Sequence, residues 1–177
     1  MISESTKRSL NEIFIRAVSS HLRLDESDQV CVQPTPAGQS PSGEQQLLLL
    51  TIAGFSFKLL VMFHLDARAL QAYFSQPDSG RVFDEVFPEL GNLCCGAINR
   101  DLARYFPHLG MSTPFRLDGR CFDYLASVRP AHVAHHRIAI NGDIHLDATL
   151  CLCAYAPIDF QYVHVAPVVE SGEIELF

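Results

Sequence analysis

The chain has 177 residues, 48% of them hydrophobic and 19% charged, which suits one globular domain with a sizeable core. Its formal net charge of −7, with 13 scattered Lys and Arg residues, argues against a nucleic-acid role built on clustered phosphate contacts. Six cysteines follow no disulfide framework and the N-terminus lacks the apolar centre of a signal peptide, so a reducing, cytoplasmic compartment is expected.

Residues Ser3 to Leu24 predict the first helix, with Leu10, Ile13, Phe14, Ala17, Val18, His21 and Leu22 as its buried stripe. Ser9 and Glu12 stand at capping-box spacing and mark one candidate start. Gln29 to Gln33 reads as a short strand, and the Pro-, Gly- and Ser-rich stretch 34–43 as a loop.

The most apolar run, Leu47 to Phe63, has to be weighed as a membrane span. It lies at the bottom of the spanning range and contains Thr51, Gly54, Ser56 and Lys58, so no membrane insertion is expected. Two strands, Gln46–Ala53 and Phe55–His64, turning at Gly54, fit it better, and strands apolar on both faces belong in the middle of a covered sheet. Asp66 then stands as an N-cap to a short helix over 67–74, stopped by Pro77, and 75–81 is loop.

From Val82 to Phe115 the chain reads as a long helix and the loop after it. Leu90, Leu93, Cys94, Ala97, Ile98, Leu102 and Tyr105 recur at three- and four-residue steps, the mark of a helix docked on a core. Pro88 requires the helix to begin near Phe87 or to kink there. On the opposite face lie Glu85, Glu89, Asn92, Gly96 and Asn99; Glu89 and Asn92, three apart, point the same way from adjacent turns. Gly96 removes a side chain one turn on, where another molecule can approach closely. The same pattern occurs on ordinary solvated helix faces.

After Pro114, residues 116–119 read as a turn and Cys121 to Val128 alternates as a strand. Arg137–Ile140 meets Ile144–Ala154 across Asn141-Gly142, the strongest short-range hairpin signal. The tail from Pro157 to Phe177 is apolar enough to pack or to bind.

Zinc ligation by His132, His135 and His136 with Cys151 and Cys153 lacks any Cys-x2-Cys or helical His-x3-His spacing, so no metal site is expected. Cys94 and Cys95 lie near the apolar side of a helix, where a free cysteine behaves as a small buried hydrophobe. No Gly-x-Gly-x-x-Gly, Walker, Gly-x-Ser-x-Gly or EF-hand motif is present.

Glu89-Leu90-Gly91-Asn92-Leu93-Cys94-Cys95-Gly96, an ExxNxxxG pattern followed by Ser112-Thr113-Pro114, resembles the active-site helix and loop of the CheC/CheX/FliY chemotaxis phosphatases. Asn11 to Val18 is similar to the N-P-F-I-x-A-x segment that opens CheX-like proteins, with Glu12 in place of the proline. The likeness covers about residues 8–155 of a single domain spanning 1–177, leaving 156–177 as an extension. CheC-like relatives carry a second ExxN on the first helix; here Glu12 is followed at the third place by Ile15, so the likeness is to a single-site, CheX-like member.

The resemblance implies an α+β fold, an antiparallel or mixed sheet packed against two long helices, with CheX-like proteins pairing an edge strand across a homodimer. It implies a phosphatase acting on the phospho-aspartate of a CheY-like response regulator. Asn92 would place the attacking water and Glu89 would pair with the regulator's lysine, while the protein needs no cofactor of its own because the phosphorylated regulator supplies Mg2+. A non-catalytic adaptor of the same fold, binding a regulator or a flagellar or signalling partner, is the alternative. Two side chains suffice in principle, because phosphoryl transfer runs through a loose transition state that mostly needs positioning and charge stabilisation.

Overall fold

The computed structural model describes residues 2–36, 46–75, 80 and 82–164. Among the described residues three α-helices, α1 (Glu4–His21), α2 (Ala67–Phe74) and α3 (Phe83–Leu102), accompany seven strands: β1 (Val30–Pro34), β2 (Gln46–Ala53), β3 (Phe57–Leu65), β4 (Gly110–Met111), β5 (Phe115–Asp118), β6 (His132–Ile140) and β7 (Ile144–Ala154). The fold is α+β, as expected. The stretch 37–45, residues 76–79 and 81, and the tail beyond 164 lie outside the described residues.

All strand pairs are antiparallel, in the order β1-β6-β7-β3-β2, with β4 and β5 sharing the outer side of β2. That order is a palindrome of two similar halves. Each half is a helix, an edge strand or pair of short strands, and a hairpin: α1, β1, β2–β3, then α3, β4 and β5, β6–β7. Each half's edge strand pairs with the first hairpin strand of the other half, and the two second strands, β3 and β7, meet at the centre.

The apolar run 47–63 is thus two central strands, and no helix among the described residues is long and apolar enough to cross a membrane. Alternation sorts the side chains. Leu48, Leu50 and Ile52 of β2 and Leu59, Val61 and Phe63 of β3 join one buried core with α1 and α3, while Met62, Cys151 and Cys153 face the other side. Asn141 and Gly142 turn the β6–β7 hairpin with φ of 53° and 82°, the left-handed pair that a type I′ turn requires.

Several boundaries differ from expectation, each for a local reason. Ser3, and not Ser9, caps α1, its hydroxyl accepting from the Thr6 N–H at 3.1 Å. Ser9 is buried inside the helix, where its Oγ donates to the Phe160 carbonyl at 3.3 Å and accepts from the Tyr162 N–H at 2.9 Å. Those bonds tie the chain beyond 155 to α1, and Ile158, Phe160 and Tyr162 are buried in the same core.

Residues 116–118, expected in a turn, pair with β2 as part of β5, and 121–128, expected as a strand, lie in a 3-10 helix, Gly119–Val128, over the outer face of the sheet. Phe122 and Leu125, three apart, fit its three-residue turn and pack on Met62, Cys151 and Cys153. The helix α3 begins at Phe83 with Pro88 inside it, because Phe83 and Phe87 are already packed against Phe74, with centroids 6.2 and 5.1 Å away. That aromatic burial outweighs the one lost hydrogen bond.

Gly91 sets how closely α3 sits on the sheet, since a Cβ there would come within 2.9 Å of Leu48 Cδ2 and 3.5 Å of Leu50 Cδ1. Gly91→Ala is expected to destabilise the fold by about 1–3 kcal/mol through overpacking, despite the better helix former. Urea unfolding checks it, and an unchanged or higher midpoint would contradict this account of the helix–sheet contact.

Candidate functional site on the third helix

The buried stripe of α3 runs through Phe83, Val86, Phe87, Gly91, Cys94, Cys95, Ala97, Ile98, Asp101 and Leu102. Compared with the expected stripe, the helix is turned so that Gly91 and Cys95 face inward. Leu90 is only half-buried, and Leu93, expected in the core, is 55% exposed. Burial holds the Cys95 thiol up at about 12, and burial with the neighbouring Cys95 raises Cys94 further, so neither is a thiolate nucleophile.

Glu89 and Asn92 both lie on the solvent side, exposed, one turn apart. Among the described residues neither side chain has a hydrogen-bond or ion-pair partner. Nearby acids differ: Asp84 pairs with Arg116 at 2.5 Å, and Asp101 is buried, bonded to Arg16 and accepting from the Tyr162 hydroxyl at 3.4 Å. The structure therefore leaves Glu89 and Asn92 uncommitted on the same helix face, with the exposed Glu85 one turn earlier likewise unpaired among the described residues.

Gly96 completes that face. It is half-buried, and an added Cβ would meet nothing within 4 Å. Glycine at such a position costs about 1 kcal/mol relative to alanine. Gly96→Ala is accordingly expected to stabilise the fold by about 0.5–1 kcal/mol while weakening whatever contact the gap admits. Thermal melting together with a partner-binding assay checks this, and a variant both more stable and fully functional would remove the reason for the gap.

The Ser112-Thr113-Pro114 loop is fastened to β2. Ser112 N–H donates to the Thr51 carbonyl at 2.9 Å, and its Oγ accepts from the Thr51 N–H at 3.0 Å, so Ser112 shapes the sheet edge.

Other polar groupings have structural occupations. His64 Nε2 and His135 Nδ1 both lie 2.9 Å from Thr149 Oγ1, with the Phe122 ring edge-on to His64 at 4.8 Å. Among the described residues no three His, Cys, Asp or Glu side chains are arranged to hold a metal ion. A cavity of about 420 Å3 opens beside α1, lined by Arg8, Asn11, Glu12, Ile15, Arg16, Tyr162 and His164. Its Arg16 is committed to Asp101, and none of its lining residues comes from the exposed face of α3.

No family model matches the chain, and no curated protein is similar to it in sequence. Solved structures are similar in fold. CheX of Borrelia burgdorferi, solved in complex with CheY, BeF3 and Mg2+, superposes with a TM-score of 0.59 at 16% identity over 81% of this chain and 97% of its own. CheX of Desulfovibrio desulfuricans gives 0.55 at 13% identity over 85% and 99%, and FliY of Thermotoga maritima 0.54 at 11% over 86% and 91%. The chain thus has the α+β fold shared by CheX and FliY proteins. Two of the three are CheX proteins, nearly all of whose length is matched.

Proposed function

We propose that the chain is a CheX-like phosphatase that removes the phosphoryl group from the phospho-aspartate of a CheY-like response regulator, in chemotaxis or related two-component signalling in the cytoplasm. The observation that carries this reading is the uncommitted, exposed Glu89–Asn92 pair on α3 beside Gly96. The solved CheX–CheY complex of a protein of the same fold supports the choice of partner. A homodimer paired through an exposed edge strand belongs to the same reading.

In the mechanism the regulator brings the phospho-aspartate, its Mg2+ and a lysine, and α3 brings two side chains. The Asn92 carbonyl oxygen accepts a hydrogen bond from the attacking water while its Nδ2–H donates to a phosphoryl oxygen, which fixes the water in line. The Glu89 carboxylate accepts from the regulator's lysine and locks the helix in register. Leaving Gly96 without a side chain lets the two backbones come close enough for a side chain as short as asparagine to reach the reacting centre.

The test is direct: purified protein is mixed with a phosphorylated CheY-like receiver and loss of phosphate is followed. Accelerated loss is expected. Phosphorylation-dependent binding without acceleration would replace the phosphatase with an adaptor of the same fold.

A further inference from the structure

The exposed face of α3 carries one apolar side chain that the core does not use. Leu93 follows Asn92 directly, stands four residues after Glu89 and three before Gly96, so all four positions share a face. Glu85 continues this row toward the N-terminus and Arg100 toward the C-terminus, both exposed, and Arg100 enters no ion pair among the described residues. Over about 22 Å of helix the row reads acid, acid, amide with leucine, gap, base. A single exposed leucine is ordinary. This one is framed by opposite charges and stands one turn from the gap at Gly96, an apolar anchor with polar groups on both sides of it.

We propose that Leu93 and Arg100 are specificity-determining contacts of this face. The partner surface they select presents a basic group to Glu89, an apolar side chain seated on Leu93 over the Gly96 gap, and a carboxylate to Arg100. This rests on the reading of α3 as the receiver-binding face. Opposite charges at the two ends of the row fix the direction in which a receiver lies along the helix, and the leucine fixes its position. Glu89 and Asn92 alone would accept any receiver that offers a lysine and a phosphoryl group.

The experiment compares Leu93→Ala, Arg100→Glu and Asn92→Ala with the unmutated protein in two assays: steady-state hydrolysis of a phosphorylated CheY-like receiver, and calorimetric binding of the same receiver activated with beryllofluoride. Leu93→Ala removes nothing from the core, and the melting midpoint of Arg100→Glu is measured alongside. Both are expected to raise KM and Kd about tenfold with kcat at saturation unchanged, whereas Asn92→Ala lowers kcat. A receiver variant with lysine in place of the facing acid should restore binding to Arg100→Glu. Unchanged KM and Kd in both variants, or a loss confined to kcat, would overturn the proposal. If the unmutated protein binds the activated receiver without hydrolysing it, and both variants still weaken binding, the proposal stands and the phosphatase reading falls. If no receiver binds, both fall.

Discussion

Acidification is expected to destabilise this protein steeply between pH 6.5 and about 4, through two buried histidines. His136 is fully buried with both ring nitrogens unpartnered and its ring 4.7 Å from that of Phe14. His64, 1% exposed, bonds Thr149 through Nε2 and leaves Nδ1 without a partner. Burial lowers both from the ordinary 6.5 to about 4; nearby His135 adds to each, His132 adds to His136, and Asp147 partly opposes the shift at His64.

A base whose folded pKa is depressed binds its proton more readily in the unfolded chain. Its contribution is therefore complete above pH 6.5 and is lost as pH falls toward 4. A shift of this size is worth about 3 kcal/mol per histidine, and two together approach the whole stability of a typical domain. Urea midpoints between pH 7.5 and 4.5 should fall steeply, and His136→Leu should flatten the fall by about one proton. At pH 7.5 that variant should lose little, because it removes two unpaired buried ring nitrogens. Equal pH slopes in the two proteins would refute the assignment.

These histidines also mark where sequence reasoning runs short. The strand expected over Arg137–Ile140 begins at His132, and nothing local in His132, His135 and His136 shows which is buried; that depends on β6 lying between β1 and β7 with α1 above it. The hairpins were legible because Gly54 and Asn141-Gly142 encode their turns locally, and the Glu89–Asn92 face because three-residue spacing on a helix needs no tertiary information. Phe122, Tyr124, Ala126 and Val128 alternate as a strand would, while Phe122, Leu125 and Val128 repeat as a 3-10 helix does; only the exposed apolar face beneath chose between them. In the same way, Leu90 and Leu93 are interchangeable in the periodicity. The close seat of Gly91 on Leu48 rolls the helix and turns Leu93 out beside Asn92.

Asn92→Ala is expected to lower the rate constant for receiver dephosphorylation by about 100-fold or more, the usual cost of removing one positioned polar group from a reacting centre. The same variant should bind an activated receiver almost as well as the unmutated protein, because the amide's contacts with water and phosphoryl oxygen strengthen in the transition state. It should also fold normally, since Asn92 is exposed and has no partner among the described residues to lose. Glu89→Ala differs in kind. A carboxylate closing on a lysine holds the complex before and during the reaction, so its removal should weaken binding by about 1–3 kcal/mol and slow turnover as well. Measured side by side, the two substitutions separate the roles: one lowers kcat alone, the other Kd and kcat together. Unaltered phosphate release in Asn92→Ala would refute the water-positioning mechanism even if the activity were real, and would leave Glu89 and its neighbours as a contact surface from which the regulator's own groups perform the hydrolysis.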